Sequence, residues 1–351
     1  MRIMHVLKHS RRSNGHVHVA VDLACAQAAA GHDVTFAHAH GSYDDLLREH
    51  GVTIATVPEA MSSSGALRSG RALLDVARRA RPQVMHAHMM SSAVLAYPVS
   101  KLVGSPLVTT MHNSFDGHSW LMRLGTVVVA VSQAERQRLI DRGFPARKVM
   151  CVLNGVVASP REALPDDPTI GPLARPSVVS LCGLHARKAV GDAIAAFSEA
   201  RPSAPGWHMH VIGSGPDQDR LEALTRDLGM SDSVHFTGPS LTPWRLLEQA
   251  DVFVSSSLDE PFGLSIVEAR AAGCAVVATA VGGVPEVLEH GRAGQLVPPS
   301  APEVMAGVLR RLMTDSDALA CWRARARDNA EYFSVRRMAE DYDAVYRSVL
   351  R

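Results

Sequence analysis

The sequence predicts an α/β protein with two doubly wound parallel sheets. Short apolar runs alternate with amphipathic stretches almost throughout the 351 residues, and a single proline-rich segment interrupts the alternation. Strands that helices cover on both faces are apolar on both faces, so these runs indicate a parallel rather than an antiparallel sheet. Hydrophobic residues make up 46% of the chain and charged residues 20%, a composition typical of folded proteins rather than disordered ones.

The first half of the chain alternates strand and helix patterns. The predicted strands are 2–7, 34–39, 53–57, 84–87, 107–110 and 127–131. The predicted helices are 17–30, 43–50, 67–80 and 134–142. Because helices separate most of these strands, we expect crossover connections, which make neighbouring strands parallel.

A proline-rich segment follows and predicts a linker. Its prolines, all within 17 residues, are Pro160, Pro165, Pro168, Pro172 and Pro176. Proline lacks a backbone donor and disfavours helix in the preceding residue, so this segment separates a domain at 1–165 from one at 174–335. In the second domain the predicted strands are 178–181, 208–212, 234–236, 252–255 and 275–278. The predicted helices there include 192–200, 218–228, 243–249 and 264–272.

The balance of charged residues limits the classes of molecule that the protein is expected to bind. The 36 Lys and Arg against 35 Asp and Glu give a net charge of +1, which does not suit a nucleic-acid-binding polycation. Residues 1–165 carry 18 basic and 11 acidic residues, and residues 166–351 carry 18 and 24. The basic half suits an anionic acceptor or an acidic membrane surface, or else it attracts the acidic half.

Localisation is expected to be cytoplasmic, either free or peripheral on the inner face of the membrane. The five cysteines are scattered and form no C-x-x-C, which fits reduced thiols better than disulfides or zinc. The first residues contain too short an apolar stretch for a signal peptide, and no stretch is long enough to span a membrane.

The most informative segment, residues 251–273, predicts a strand, a loop and a helix. The loop carries Glu260, which Pro261 keeps out of the helix. The first residues of the helix have unpaired backbone N–H groups, which together with the helix dipole favour a bound phosphate. These residues are Gly263, Leu264 and Ser265.

Glu268 lies just beyond the first turn of the same helix. A carboxylate accepts two hydrogen bonds and therefore suits the paired hydroxyls of a ribose. A phosphate site followed by a ribose acceptor predicts a nucleotide site. The alternative is that Glu260 caps the helix and Glu268 is solvated.

The wider sequence around these glutamates resembles the retaining glycosyltransferases of family four. The run from Glu260 to Glu268, Glu-Pro-Phe-Gly-Leu-Ser-Ile-Val-Glu, matches the E-x7-E signature of that family. The later run from Gly282, Gly-Gly-Val-Pro-Glu, also matches. So do Asn154-Gly-Val and Gly213-Ser-Gly-Pro upstream, and the resemblance covers nearly the whole chain.

The resemblance implies a GT-B fold, in which two Rossmann-like domains enclose a cleft and a last helix at about 336–351 packs back on the first domain. It implies transfer of a sugar from a nucleotide sugar, most readily a UDP-sugar, to an acceptor hydroxyl that can be lipid-linked. It also implies retention, no cofactor and no metal, and the 17 histidines contain no H-E-x-x-H spacing. The expected role is the synthesis of polysaccharides, glycolipids or specialised glycosides.

The resemblance also assigns roles to single residues. Glu260 would contact the transferred sugar, Glu268 the ribose and Lys188 the diphosphate. His112, at a strand end, is the candidate for a contact with the donor sugar, and the alternative is a structural histidine with satisfied hydrogen bonds. Further predicted donor contacts are the turn residues Gly213 and Gly238, and predicted contacts on the sugar or acceptor side are Asn14 and Gly15. Two other strand-end histidines, His86 and His88, are expected to be structural.

One departure from the family concerns the cation beside Lys188. Gly183 stands where the family carries an arginine. Either His185 or Arg187 supplies the missing positive charge, or the reaction is slower or the donor geometry is shifted. We take Arg187 as a candidate catalytic residue.

Two other functions fit parts of the pattern. A sugar-nucleotide epimerase of the same architecture would also bind a nucleotide sugar, but the E-x7-E helix favours a transferase. A catalytically degenerate nucleotide-sugar-binding subunit would explain Gly183, but the presence of Glu260, Glu268 and Lys188 together favours an active enzyme.

Overall fold

The computed structural model describes residues 1–12, 14–59, 63–115, 117–165 and 171–351. The chain divides into two units, one made of Met1–Arg161 with Phe333–Arg351 and the other of Glu162–Tyr332. Each unit has an apolar core of its own. Part of the predicted linker, including Pro168, lies outside the described residues.

The first unit contains a seven-stranded parallel sheet. Its strands are β1 (Arg2–Val6), β2 (Asp33–His38), β3 (Thr53–Thr56), β4 (Val84–His88), β5 (Leu107–Met111), β6 (Val127–Ala130) and β7 (Val149–Cys151). Its helices before the second unit are α1 (Gly15–Ala29), α2 (Asp44–Glu49), α3 (Ser63–Ala80), α4 (Met90–Val103) and α5 (Gln133–Asp141). The strand order is β3-β2-β1-β4-β5-β6-β7, and every neighbouring pair is parallel.

Helix α4 and strand β7 are absent from the sequence prediction. Pro98 lies inside α4. Proline removes a helical hydrogen bond and clashes with the preceding turn, so its presence argues against a helix that tertiary packing nevertheless stabilises. Strand β7 has only three residues, too few for a recognisable apolar pattern. Helix α3 also begins at Ser63, four residues before its predicted start at 67.

The second unit contains a six-stranded parallel sheet. Its strands are β8 (Ser177–Leu181), β9 (His208–Ile212), β10 (Val234–Gly238), β11 (Val252–Ser255), β12 (Ala275–Thr279) and β13 (Gln295–Val297). Its helices are α6 (Val190–Ala200), α7 (Gln218–Asp227), α8 (Pro243–Leu247), α9 (Leu264–Ala272), α10 (Val284–Val287), α11 (Pro302–Thr314) and α12 (Ser316–Arg327). The order β10-β9-β8-β11-β12-β13 is that of a dinucleotide-binding sheet, and it reverses direction between β8 and β11.

The last helix, α13 (Val335–Leu350), returns the chain to the first unit and packs on α1. Tyr342 and Tyr346 on its inner face are fully buried. The Tyr346 hydroxyl lies 2.7 Å from Nδ1 of His86, and the Tyr342 hydroxyl lies 2.8 Å from Oγ1 of Thr110. Within the described residues, no helix combines the length and apolar composition needed to cross a bilayer.

A buried arginine fixes α9 in the second unit. Arg270 is fully buried near the end of that helix. Its guanidinium donates to the carbonyl oxygens of Ala326 at 3.0 Å and Asp328 at 2.8 Å, and also to that of Val287. It also pairs with a carboxylate oxygen of Glu289 at 2.7 Å. One side chain therefore links α9 to α10, to α12 and to the segment after α12.

We expect Arg270→Met to lower the free energy of unfolding by about 3–5 kcal/mol, because it leaves three carbonyls and one carboxylate without their donor. Urea unfolding followed by circular dichroism measures the change. The matched control is Arg310→Met, whose exposed pair with Glu199 at 3.1 Å should contribute no more than about 1 kcal/mol. Equal effects of the two substitutions would contradict the assigned role of Arg270.

Candidate functional site

The reversal of strand order brings two loops together at the carboxyl edge of the second sheet. Parallel strands end on the same edge, so residues 182–188 after β8 lie beside residues 256–263 after β11. The backbone N–H of Leu258 donates to the carbonyl oxygen of Arg187 at 2.8 Å and joins the two loops directly. Open α/β sheets bind their ligands in crevices of this kind.

Lys188 and Glu260 form an ion pair where the two loops meet. Their side chains are 16% and 13% exposed. The hydroxyl of Ser256 donates to the carbonyl oxygen of Lys188 at 3.0 Å, and the N–H of Gly283 donates to that of Glu260 at 2.9 Å. The backbone thus holds both partners in place. A cation here can bind an anionic group, and the carboxylate can accept hydrogen bonds from hydroxyls.

Arg187 supports the loop that carries Glu260. Its guanidinium donates to the carbonyl oxygen of Asp259 at 2.7 Å, and the side chain is half-buried. This contact gives Arg187 a supporting role, and its role as a ligand of the donor stays a prediction.

Gly183 stands where the family carries an arginine, and the ring of His185 fills the space beside this glycine. A Cβ added to Gly183 would lie 3.0 Å from two atoms of the His185 ring, with its next neighbour, the carbonyl oxygen of Ser214, at 3.9 Å. The exposed imidazole of His185 therefore lies where a side chain at position 183 would begin. Of the two residues considered as substitutes, His185 takes up this position.

Helix α9 begins at the same edge. Gly263 precedes it with φ of 101°, a conformation that favours glycine, and no side chain caps the helix. Within the described residues, the N–H groups of Leu264 and Ser265 have no acceptor, as is usual for the first turn of a helix. Glu268 is half-buried one turn further on. The residues predicted to bind the phosphate and the ribose thus lie on one helix, and this helix starts beside the ion pair.

The two predicted turn glycines meet each other. The N–H of Gly213 donates to the carbonyl oxygen of Gly238 at 2.8 Å. Gly213 has φ of 136°, and a Cβ there would lie 1.9 Å from the carbonyl oxygen of Cys182. The loop after β8 therefore requires glycine at 213 for packing, and a contact with the donor stays a prediction for both residues.

In the first unit, His112 follows β5 at the carboxyl edge of the sheet. Its Nε2 lies 3.1 Å from Nδ1 of His88, and its ring faces that of His16 at 5.9 Å between centroids. Burial lowers the pKa of His112 well below its ordinary value and lowers the pKa of His16 to about 4. Both rings are therefore neutral at pH 7, and His112 can act as a hydrogen-bonding group rather than a cation.

The segment before α1 carries the predicted contacts Asn14 and Gly15. Asn14 is extended, with φ of −132°. Its carbonyl oxygen accepts hydrogen bonds from the N–H groups of Val17 and His18, so it begins the helix directly. Gly15 is the first residue of α1, and Ser13 lies outside the described residues. Contacts of Asn14 and Gly15 with a sugar or acceptor stay predictions.

Two anchoring groups of this site were missed by the sequence analysis. The side-chain hydroxyl of Ser256 and the backbone N–H of Gly283 donate to the carbonyl oxygens of Lys188 and Glu260, respectively. The available signals were the serines that end the strand before the loop and the paired glycines at 282 and 283. Neither signal names a partner, because the partners are backbone atoms of distant residues.

Two family models match the chain. A model described as Glycosyltransferase Family 4 matches residues 13–159, and one described as Glycosyl transferases group 1 matches residues 172–329. The matches together span both halves of the sequence.

Individual known proteins are also similar to this chain. A glycogen synthase of Mycobacterium tuberculosis is 27% identical over 93% of this chain and 86% of its own length. An exopolysaccharide phosphotransferase of Streptomyces coelicolor is 35% identical over 45% of this chain, but the match covers only 17% of that protein. The crystal structure of HepE from Anabaena in complex with UDP and glucose is 21% identical and superposes with a TM-score of 0.84 over 99% of this chain and 100% of its own.

We expect Gly213→Ala to destabilise the second unit by about 1–3 kcal/mol, because the new methyl group meets a carbonyl oxygen and the backbone is left-handed. The control is Gly183→Ala, whose methyl group meets only the exposed His185 ring and should change stability by less than about 1 kcal/mol. Urea unfolding compares the two. A Gly213→Ala variant as stable as the control would contradict the requirement for glycine at position 213, because the 182–184 loop would then move aside at little energetic cost.

Proposed function

Because this chain belongs to the family-4 glycosyltransferases and has their GT-B fold, we propose that it is a retaining, metal-independent enzyme that transfers a sugar from a nucleotide sugar to an acceptor hydroxyl. A UDP-sugar is the proposed donor, since HepE was crystallised with UDP and glucose. Polysaccharide synthesis is the proposed setting, in keeping with the names of the glycogen synthase and the exopolysaccharide enzyme.

The observation that carries the proposal is the Lys188–Glu260 pair beside the first turn of α9. Two unpaired N–H groups and an ammonium group supply positive charge for a diphosphate. Glu260 supplies a hydrogen-bond acceptor for sugar hydroxyls, and Glu268 supplies one for a ribose. These groups match the sugar, the diphosphate and the ribose of a nucleotide sugar, in the order in which the three are bonded.

In the proposed reaction the acceptor hydroxyl attacks C1 of the sugar on the face from which the diphosphate leaves. The bond from C1 to the diphosphate oxygen breaks, the bond from C1 to the acceptor oxygen forms, and the acceptor proton passes to the departing phosphate. Lys188 stabilises the charge that develops on this phosphate, a contribution of about 2–4 kcal/mol for one well-placed donor. Glu260 is paired with Lys188, which makes it a poor nucleophile and disfavours a covalent intermediate.

Metal independence is proposed because the chain's own groups supply the positive charge. The three Asp-x-Asp triplets, which could suggest a metal, have aspartates with structural partners. Asp217 pairs with Arg220 at 2.9 Å, and Asp341 pairs with Arg337 at 2.7 Å. Asp315 accepts the N–H of Ala318 as the cap of α12.

An apolar groove in the first unit suits a lipid-linked acceptor at a membrane surface. It lies between α3 and α4 and has a volume of about 600 Å³. Leu67 and Leu102 line it with 60% and 69% of their surface exposed, and Arg71 is an exposed basic residue of its wall. We propose that this groove contacts an anionic lipid surface.

Thermal melting with EDTA present, across UDP-, GDP-, ADP- and dTDP-sugars, tests the donor site. One nucleotide sugar at 100 times its dissociation constant should stabilise the protein by about 2.7 kcal/mol. Glu268→Ala should abolish this shift. Glu248→Ala, which removes an exposed carboxylate 3.6 Å from Arg245, should leave it intact.

Two outcomes would contradict the proposal. If no nucleotide sugar shifts the midpoint, the donor site is absent. If the bound nucleotide sugar is converted to its epimer without release of UDP, the protein is an epimerase.

Lys188→Ala should retain part of the melting shift but lower the rate of UDP release by at least about 10²-fold, because Lys188 acts mainly on the developing charge.

Cosedimentation with vesicles tests the lipid contact. The protein should bind phosphatidylglycerol vesicles more strongly than phosphatidylcholine vesicles, and Leu67→Ser with Leu102→Ser should weaken binding at least tenfold. Leu350→Ser, an equally apolar exposed position on α13, serves as the control. Equal binding of both lipids, or no effect of the double substitution, would refute the proposal.

A further inference from the structure

A continuous chain of buried hydrogen bonds joins His112 to Gln27 in the first unit. Nε2 of His112 lies 3.1 Å from Nδ1 of His88, and Nε2 of His88 lies 3.0 Å from Nδ1 of His5. Nε2 of His5 lies 2.8 Å from Oε1 of Gln27. His88, His5 and Gln27 are all within 1% of complete burial, so solvent does not interrupt the chain.

All three rings are neutral at pH 7. Burial lowers the pKa of His5 to about 4 and holds the pKa values of His88 and His112 well below the ordinary value. Each ring therefore carries a single N–H, on either Nδ1 or Nε2, and accepts a hydrogen bond at the other nitrogen.

The amide of Gln27 determines which nitrogen is protonated in every ring. Its carbonyl oxygen can only accept, so Nε2 of His5 must carry the proton and Nδ1 of His5 is an acceptor. His88 must then donate from Nε2, and His112 must donate from Nε2 in turn. The amide nitrogen of Gln27 donates to the hydroxyl of Tyr346 at 3.3 Å, and this hydroxyl in turn lies 2.7 Å from Nδ1 of His86. Turning this amide by 180° would reverse every bond in the chain.

We propose that Gln27 is a positioning residue that sets the tautomer of His112 through His5 and His88, so that His112 presents an unprotonated Nδ1. Among the described residues, Nδ1 of His112 has no hydrogen-bond partner. It is thus an acceptor for a ligand hydroxyl at the carboxyl edge of the sheet. The identification of this ligand as the donor sugar rests on the proposed function. The assignment of the His112 tautomer does not depend on it.

A metal site is the competing explanation for this cluster. Ring nitrogens of His5, His86 and His88 lie within 4.8 Å of one another. However, both nitrogens of each ring already have hydrogen-bond partners, those of His86 being Tyr346 and Thr110 at 2.7 Å each. A metal ion would have to break at least one of these bonds in every ring, so the geometry favours the hydrogen-bonded chain.

Nuclear magnetic resonance of the wild-type protein with ¹⁵N-labelled histidine measures the tautomers directly. The signals of His112 are assigned by their loss in His112→Asn. We expect Nε2 to be protonated and Nδ1 unprotonated in all three rings, with ¹⁵N–¹⁵N couplings across both N–H···N bonds. Protonated Nδ1 in His112, missing couplings, or a shift of the His5, His86 and His88 signals on addition of Zn²⁺ would overturn the proposal. Activity is not needed for this measurement.

Gln27→Met tests the role of the amide. Without an acceptor at this position both directions of the chain become populated, so we expect both nitrogens of His112 to show intermediate shifts. Donor binding should weaken by up to about twofold, in proportion to the lost tautomer. The control is Tyr342→Phe, which removes a buried hydroxyl of α13 that contacts Thr110 and not the chain. An unchanged His112 in Gln27→Met would refute the proposal, and if that variant does not fold, the wild-type measurement decides.

Discussion

The reversal of strand order between β8 and β11 is the constraint on which the candidate site depends. On either side of this point the crossover connections run in opposite directions, so the loops after these two strands are not covered by a connecting helix. Lys188 comes from one loop and Glu260 from the other, 72 residues apart in sequence. In a sheet with a simple sequential strand order these two loops would not be neighbours.

Several buried contacts then make this edge rigid. Arg270 holds the last turn of α9, and hydrogen bonds from the Ser256 hydroxyl and the Gly283 N–H to the carbonyl oxygens of Lys188 and Glu260 hold the ion pair in place. Arg187 adds a bond from one loop to the other. Preorganised groups of this kind stabilise developing charge effectively, because they need no rearrangement when the charge forms.

In the first unit, the sheet buries several polar imidazole rings, and each of these rings needs hydrogen-bond partners. Histidines on β1 and β4 point into the core, and each one is satisfied by another ring, an amide or a hydroxyl. The tyrosines of α13 complete this network, so the end of the chain supplies partners for strands at its beginning. Buried polar networks are stable only when every member is paired, and pairing makes the state of one member depend on the others.

The sequence by itself determined the fold class and most of the elements, because apolar periodicity is a local property that survives without knowledge of contacts. It also predicted the start of α9 and singled out Glu260 and Glu268, since these belong to one short motif. Lys188 was singled out from a separate segment, 72 residues before Glu260, through the family resemblance. It could not find α4, where Pro98 argued against a helix that packing stabilises. Only the tertiary structure decided that Arg187 supports a loop, that His185 fills the space beside Gly183, and that Gln27 is joined to His112. These are contacts between residues far apart in the chain, and a hydrogen bond of that kind leaves no periodic trace in the sequence.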